Sequence, residues 1–260
     1  MKIATFNVNS IRRRIGALCQ WLQDASPDVV LLQELKAQAE QVPIADIEAL
    51  GYRIEIVGQK AYNGVAIVSR HPIEVVARAL PGEDGDEQAR YIEADIAGPN
   101  GSMRVASIYL PNGNPAPGEK YDYKLRFLRR LRRRAEALLG LEIPVVLGGD
   151  YNVAPADVDV YDPQAHASDA LCLPPSRQAY RALVNLGYTD AFRALHPNRI
   201  AYSFWDYQAG AWQKDHGWRI DHLLLSPQAA DRLAECDIDR APRGRPEASD
   251  HTPVWCALRH

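Results

Sequence analysis

Six polar side chains stand where apolar runs of this chain begin or end and a seventh lies inside one, and their types limit the chemistry they could do. Asn7 follows the run Ile3-Ala4-Thr5-Phe6, and Glu34 follows Val29-Val30-Leu31-Leu32-Gln33. Asp150 and Asn152 follow Pro144-Val145-Val146-Leu147-Gly148-Gly149; their two-residue spacing puts them on one side of an extended chain. Asp250 and His251 precede the last apolar run, and Asp221 lies inside another. Gly, Asp and Asn are also ordinary turn formers, so one such stretch alone is ambiguous. The repetition along the chain favours chemistry, since a rigid sheet edge holds a catalytic carboxylate well. The two glycines before Asp150 are expected to let the backbone bend there.

Oxygen donors without cysteine or clustered histidine suit a hard cation, Mg2+ with Mn2+ as a substitute. Such a cation beside a histidine and an acid fits phosphoester hydrolysis, in which phosphate charge is neutralised and a carboxylate orients water. No Gly-rich phosphate loop and no GxSxG elbow is present, which weakens NTPase and serine-hydrolase readings. A carboxylate buried in a strand is costly unless paired, so Asp221 requires a partner, and a histidine or an arginine is the best candidate.

The elements that must position these groups read as follows. Strands are expected at Ile3–Phe6, Val29–Leu32, Tyr52–Ile56, Val65–Ser69, Ile73–Ala77, Tyr91–Ile96, Met103–Tyr109, the run ending at Asp150, Trp218–Leu225 and Val254–Leu258. Asn63-Gly64 and Pro99-Asn100-Gly101 read as turns, and Pro81–Gln88 as an acidic loop. Ile11, Ile15, Leu18 and Leu22 fall at helical spacing, with Ser10 placed to cap; Pro43–Leu50 and Ala179–Leu186 are shorter helices, and Ser226-Pro227 opens another. The longest helix, Lys120–Leu139, carries Lys124, Arg126, Arg129, Arg130, Arg132, Arg133 and Arg134. A solvated helix face is its default reading, and contact with phosphate backbone the sharper one. Phe204 and Trp218, amid other aromatics, read by default as core.

A net charge of −3 provides no global basic field, so a polyanion would have to meet a local patch. Cys19, Cys172, Cys236 and Cys256 form no CxxC pair, which favours free thiols in a reducing compartment; no signal peptide or membrane span is visible, and a cytoplasmic location is expected. No linker divides the chain, so residues 1–260 read as one domain. Glu34 and Asp150 end buried strands in opposite halves, which hints at a duplicated two-sheet architecture.

Thr5-Phe6-Asn7-Val8-Asn9, Leu32-Gln33-Glu34, Asn63-Gly64-Val65-Ala66, Tyr109-Leu110-Pro111-Asn112, Gly148-Gly149-Asp150-Tyr151-Asn152, Trp218-Arg219-Ile220-Asp221 and Ser249-Asp250-His251 occur in this order. In type and order these segments resemble, from end to end of the chain, the exonuclease III family. These are the abasic-site endonucleases of the endonuclease/exonuclease/phosphatase superfamily. The resemblance implies a four-layer α/β sandwich, two packed mixed β-sheets flanked by helices. It implies an Mg2+-dependent DNA repair phosphodiesterase that cuts 5′ to abasic sites, with 3′-to-5′ exonuclease and 3′-end-cleaning activity. The implied partner is double-stranded DNA with abasic sites or 3′ ends, met by a monomer without a membrane.

Site roles follow from the same resemblance. Glu34 looks like the main metal ligand, with Asn7, Asp150, Asn152, Asp250 and His251 around the ion. Asp150 resembles the residue that orients or deprotonates water, assisted by Asn152. His251, paired with Asp221, resembles the group that binds the scissile phosphate, and Tyr109 the one contacting that phosphate or the leaving group. Asn112, Phe204 and Trp218 would face DNA, the two rings walling the abasic-sugar pocket. A competing scheme makes neutral His251 the base, oriented by Asp221 as in a hydrolase triad. Two departures from the family pattern stand out: the loop Gly113-Asn114-Pro115-Ala116-Pro117 matches no DNA-inserting side chain, and Asp157 and Asp159 stand where an amide could position DNA. A phosphatase of inositol or lipid head groups and a silent DNA-binding module are the other classes; the aromatic segments with the basic helix, and the intact polar set, argue against them.

Overall fold

The computed structural model describes residues 1–98 and 101–259, so Pro99 and Asn100 of the expected turn lie outside the described residues. The strands are β1 (Lys2–Asn7), β2 (Val29–Gln33), β3 (Arg53–Val57), β4 (Val65–Ser69), β5 (Ile73–Ala77), β6 (Tyr91–Gly98), β7 (Gly101–Tyr109), β8 (Val145–Asp150), β9 (Thr189–Asp190), β10 (Asp221–Leu225), β11 (Leu233–Ile238) and β12 (Val254–Leu258). The helices are α1 (Ile11–Ala25), α2 (Ile44–Glu48), α3 (Glu119–Leu139), α4 (Pro174–Val184), α5 (Ala191–Leu195) and α6 (Pro227–Ala230).

The strands form two six-stranded sheets, in the orders β11-β12-β1-β2-β4-β3 and β5-β6-β7-β8-β10-β9. Each has one parallel pair at its centre, β1 with β2 and β7 with β8, among antiparallel neighbours. Alternation along the strands builds three apolar layers. Ile3, Val29, Leu31, Val65 and Ile67 of the first sheet meet Ile92, Val105, Val146 and Leu223 of the second. The alternate residues Ala4, Val30, Leu32 and Ala66 pack under Trp21 and Leu22 of α1 and Ile47 of α2. On the far side Ala106, Ile108, Val145 and Leu147 pack under Phe127 and Leu131 of α3 and Tyr180 of α4. Helices, sheet, sheet and helices thus make the four-layer sandwich, and each fully buried Val, Leu or Ile contributes about 1.5–3 kcal/mol to it.

Several local expectations need correction. β10 starts at Asp221, because Trp218 instead pairs through isolated bridges with Phe204 and Val160 outside the sheet. α4 starts at Pro174, five residues before Ala179, because proline is pre-set for the first helical turn. β11 and α5 have no counterpart among the expected elements. Ser10 does not cap α1: its φ is 87° and its side chain makes no capping bond, while its amide donates to the Glu34 carbonyl. Gly148 and Gly149 lie inside β8 rather than at a bend, and close approach explains them. A Cβ on Gly148 would meet Leu31 Cδ1 at 2.5 Å and Leu223 Cδ2 at 2.7 Å, and one on Gly149 would strike the Ile108 backbone.

Candidate active site

Four rows of side chains facing the space between the sheets end in polar groups at one rim. In β1 the inward row runs Ile3, Thr5, Asn7; in β7 it runs Val105, Ser107, Tyr109; in β8 it runs Val146, Gly148, Asp150. β10 enters the same layer through Asp221 ahead of Leu223. Just below the rim, Thr5 donates to Gln33, and Gln33 Nε2 donates to Ser107 at 3.0 Å. This buried polar layer ties the two sheets together beneath the site.

Above it, the Asn7 amide donates to Glu34 Oε1 and to Asp150 Oδ2, each at 2.9 Å, so one side chain holds both carboxylates. Asn7 therefore turns its nitrogen toward the acids, and its oxygen accepts the Asn9 amide. It thereby holds both carboxylates in place at the rim. Glu34, Asp150 and His251 each place one ligand atom within 4.8 Å of the others. Asp250 stands apart from that cluster and accepts from Asn9 Nδ2 at 2.9 Å. The chain turns out of its strands through left-handed residues: Asn9 (φ 43°), Glu34 (51°), Lys36 (51°) and Asn152 (47°). Such conformations outside glycine cost roughly 1–3 kcal/mol each and gather at functional sites.

The surroundings act unevenly on the charged groups. Burial alone would raise the Glu34 pKa, but Lys36 Nζ at 2.8 Å and the Asn7 amide outweigh it and keep the carboxylate ionised. Asp150 goes the other way: burial raises it, Asp221 and Glu34 add to the rise, and His251 only partly opposes them. Two acids converging on one space call for a cation, and oxygen donors suit a hard one. His251 Nδ1 lies 2.9 Å from Asp221 Oδ2, and its Nε2 lies 3.7 Å from Asp150 Oδ2. Burial alone would lower its pKa; Asp221 and Asp150 outweigh it and hold the imidazole protonated. A protonated ring has two donors and no acceptor, which suits a phosphate oxygen. Asp221 Oδ2 also accepts from Ser203 Oγ at 2.6 Å, so the partners required on sequence grounds both meet one oxygen, while the buried Oδ1 has none among the described residues.

Asn152 donates its backbone amide to Asp150 Oδ1 at 2.9 Å, so the expected same-side placement gives way to a turn that locks the carboxylate. Its side chain bridges Leu110 O and Asn112 Nδ2, which clamps the loop beside the cluster. Beneath both loops, buried Lys124 donates to Asn112 O at 2.9 Å and Asn152 O at 2.5 Å. Burial pushes the Tyr109 phenol well above its ordinary pKa and the carboxylates of Glu34 and Asp150 add to this, so it remains a neutral donor.

These groups open into a cleft of about 530 Å³. Phe204 and Trp218 form part of its wall, and the Phe204 ring packs 4.9 Å from His251. The wall also contains rings that no sequence pattern singled out. His166 packs edge-on to Trp218 at 4.7 Å and bonds Tyr161 OH at 2.8 Å, and Tyr161 stacks on His216 at 4.2 Å.

The family model for the endonuclease/exonuclease/phosphatase family matches residues 4–251. The chain belongs to that family. Among relatives of this endonuclease/exonuclease/phosphatase protein, exodeoxyribonuclease III of Haemophilus influenzae is 32% identical with both chains fully covered. The structure of an AP endonuclease from Archaeoglobus fulgidus superposes with a TM-score of 0.93 at 38% identity, covering 99% of each chain. That of the 3′ phosphatase NExo from Neisseria, bound to a product DNA hairpin, gives 0.96 at 36% identity over both entire chains.

Within this family member, Asp157 and Asp159 have no place in the cleft. Asp159 is buried and paired with Arg219 and Arg193, and exposed Asp157 pairs with Arg177. Lys36 and Asn9 are the functional neighbours that sequence reasoning passed over. Their signal was spacing alone, since each sits two residues beyond a site residue, at Glu34 and Asn7.

Proposed function

We propose that this chain is a divalent-metal-dependent DNA repair phosphodiesterase, cleaving 5′ to abasic sites in duplex DNA and processing 3′ ends, with Mg2+ as its ion. The observation that carries the reading is the opposition, across one cleft floor, of the Glu34–Asp150 carboxylate pair and the cationic His251. Glu34 and Asp150 would hold the cation, which when bound neutralises phosphate charge. Asp150 orients the attacking water and accepts its proton, while His251 donates to a phosphate oxygen and Asp221 keeps it charged. Neutral Tyr109 donates at the same phosphate or to the departing 3′ oxygen. Asn7 and Asn152 hold the carboxylates, and Asn112, Phe204 and Trp218 meet the nucleotide around the break. The partner is duplex DNA, met by a monomer in the cytoplasm. The test is nicking of a duplex with one synthetic abasic site, and phosphate release from a 3′-phosphate end, with Mg2+ and then with chelator. Absence of metal-dependent cleavage on both substrates would overturn it.

A second reading gives weight to 3′ ends over internal abasic sites, and His166 favours it. Its ring packs 4.7 Å from Trp218 in the cleft wall and would compete with an extruded sugar held against that indole, whereas a terminal phosphate would need only His251 and Tyr109. On that reading His166→Ala raises abasic-site nicking and keeps 3′-phosphate removal. Equal nicking by variant and wild type would return the balance to abasic sites.

A further inference from the structure

A second cavity, of about 400 Å³, lies behind the Ser249-Asp250-His251 segment and is lined by Arg13, Arg14, Tyr207, Arg243, Arg245 and Glu247. The pairing of its guanidinium groups differs from that of the other buried arginines. Arg219 meets Asp159 and Asp190, and Arg130 meets Asp86 and Glu83. Arg14, only 7% exposed, donates to Glu247 O, Asn9 O and Tyr207 OH, all neutral acceptors. Arg243, 8% exposed, donates from Nη2 to Trp205 O, and its Nε is buried without a partner. Neither reaches a carboxylate among the described residues. A buried cation served by neutral acceptors alone is under-compensated, and an anion is the group that completes it.

The surroundings fit a phosphate. Tyr207 lies between the two guanidiniums, 5.9 Å from Arg14 and 5.3 Å from Arg243, which fixes both forks. At the mouth, Arg13 is held only by a loose, exposed contact of 3.8 Å to Glu247, and Arg245 by Asp24 at 3.0 Å. Both can swing to an incoming anion at little cost, since exposed pairs are weak. The cavity is also wired to the catalytic floor. Tyr207 OH donates to Ala248 O, next to Ser249, and accepts from Asn9 Nδ2, which in turn holds Asp250.

We propose that the Arg13–Arg14–Arg243–Arg245 cavity is a second anion site that takes a backbone phosphate of the nucleic-acid substrate, flanking the scissile one. It rests on the DNA reading above and adds a positioning contact outside the reaction centre. Arg14 and Arg243 provide the fixed fork, which suits a phosphate bidentately, and Arg13 and Arg245 close over it.

The test compares wild type with Arg13→Gln/Arg245→Gln and, separately, with Arg243→Lys, which keeps the charge but removes the fork. Affinity for a duplex carrying a 3′ phosphate is measured across salt concentrations, and KM and kcat for 3′-phosphate release are measured beside it. The expected result is a salt slope smaller by about one for the double variant, because one backbone phosphate is no longer neutralised by the protein. KM should rise roughly tenfold or more in both variants, each with a wild-type melting temperature. Slopes and KM values equal to wild type in both would overturn this site while leaving the DNA reading intact. A wild type that neither binds nor cleaves the duplex would fail the DNA reading itself. Should Arg243→Lys not fold, the exposed double variant decides alone.

Discussion

His251 and Asp150 share one buried site but respond to opposite influences, and this sets the pH response. The imidazole pKa is raised above its ordinary value, so the cation is present at neutral pH and is lost as pH rises through the folded value. Activity should therefore fall on the alkaline side, and the ion pair's contribution to stability should fade there too. The triad alternative predicts loss on the acid side, and a single-turnover pH–rate profile with NMR titration of the His251 ring separates the two. A ring that is neutral at pH 7 in the fully active enzyme would exclude the cationic assignment. Asp150→Asn should lower kcat by roughly 10²–10⁴-fold while DNA affinity is kept, because the amide cannot accept the water proton. Glu34→Gln removes a charge from the carboxylate pair, and the Mg2+ concentration for half-maximal activity should rise at least about tenfold, with the circular dichroism spectrum unchanged. Unchanged Mg2+ dependence would take Glu34 out of the ion's coordination.

Helix α3 carries the chain's main run of cations, and packing sorts them into two groups. Lys124, Arg130 and Arg134 are internal: Lys124 holds the Asn112 and Asn152 loops, Arg130 meets Asp86 and Glu83, and Arg134 meets Glu93. Arg126, Arg129, Arg132 and Arg133 are exposed. Lys124 touches the site, and with a rise of about 1.5 Å per residue Arg133 stands roughly 13 Å further along the helix. The solvated-face reading therefore suits the exposed group. Arg130→Ala should cost about 3 kcal/mol by denaturant unfolding, since it leaves the largely buried Asp86 carboxylate without its cation. Arg129→Gln/Arg133→Gln should stay within about 0.5 kcal/mol and leave the salt slope of DNA binding as it was. A reduced slope would instead put this face against the phosphate backbone.

Across the whole molecule, the active site lies where two sheets nearly touch; Gly148 sets that distance, and Gly149 sets the approach of β7 to β8 within one sheet. Gly148 abuts Leu31 and Leu223, the first of them from the opposite sheet, and Gly149 abuts the Ile108 backbone of β7. Gly149→Ala should destabilise by at least about 1–3 kcal/mol, as overpacking does. It should also lower kcat more than the stability loss explains, because it displaces Asp150 directly. Denaturant unfolding and steady-state kinetics on the same preparation check this; a stable variant with wild-type kcat would show that β7 and β8 accommodate a side chain there without moving Asp150.

The sequence by itself determined the strand-end positions of Asn7, Glu34, Asp150 and Asp250-His251, most of the strands, and the hard-cation chemistry. These depend on local hydrophobic runs and residue types, which the chain carries in order. It also required a partner for buried Asp221 without choosing between histidine and arginine. The tertiary structure made that choice: His251 and Ser203 took Asp221, while Arg219 turned to Asp159 and Asp190. It also decided which way the site residues face. Both faces of β1 and β8 are apolar and buried, so alternation does not tell the inter-sheet face from the helix face. The edge strand β11 mixes Glu235 and Asp237 with its apolar residues, which left it without a clear periodic signal. His166 and the Arg14–Arg243 pair emerged only from the folded chain. Each matters through neighbours distant in sequence, and spacing along the chain carries no record of those contacts.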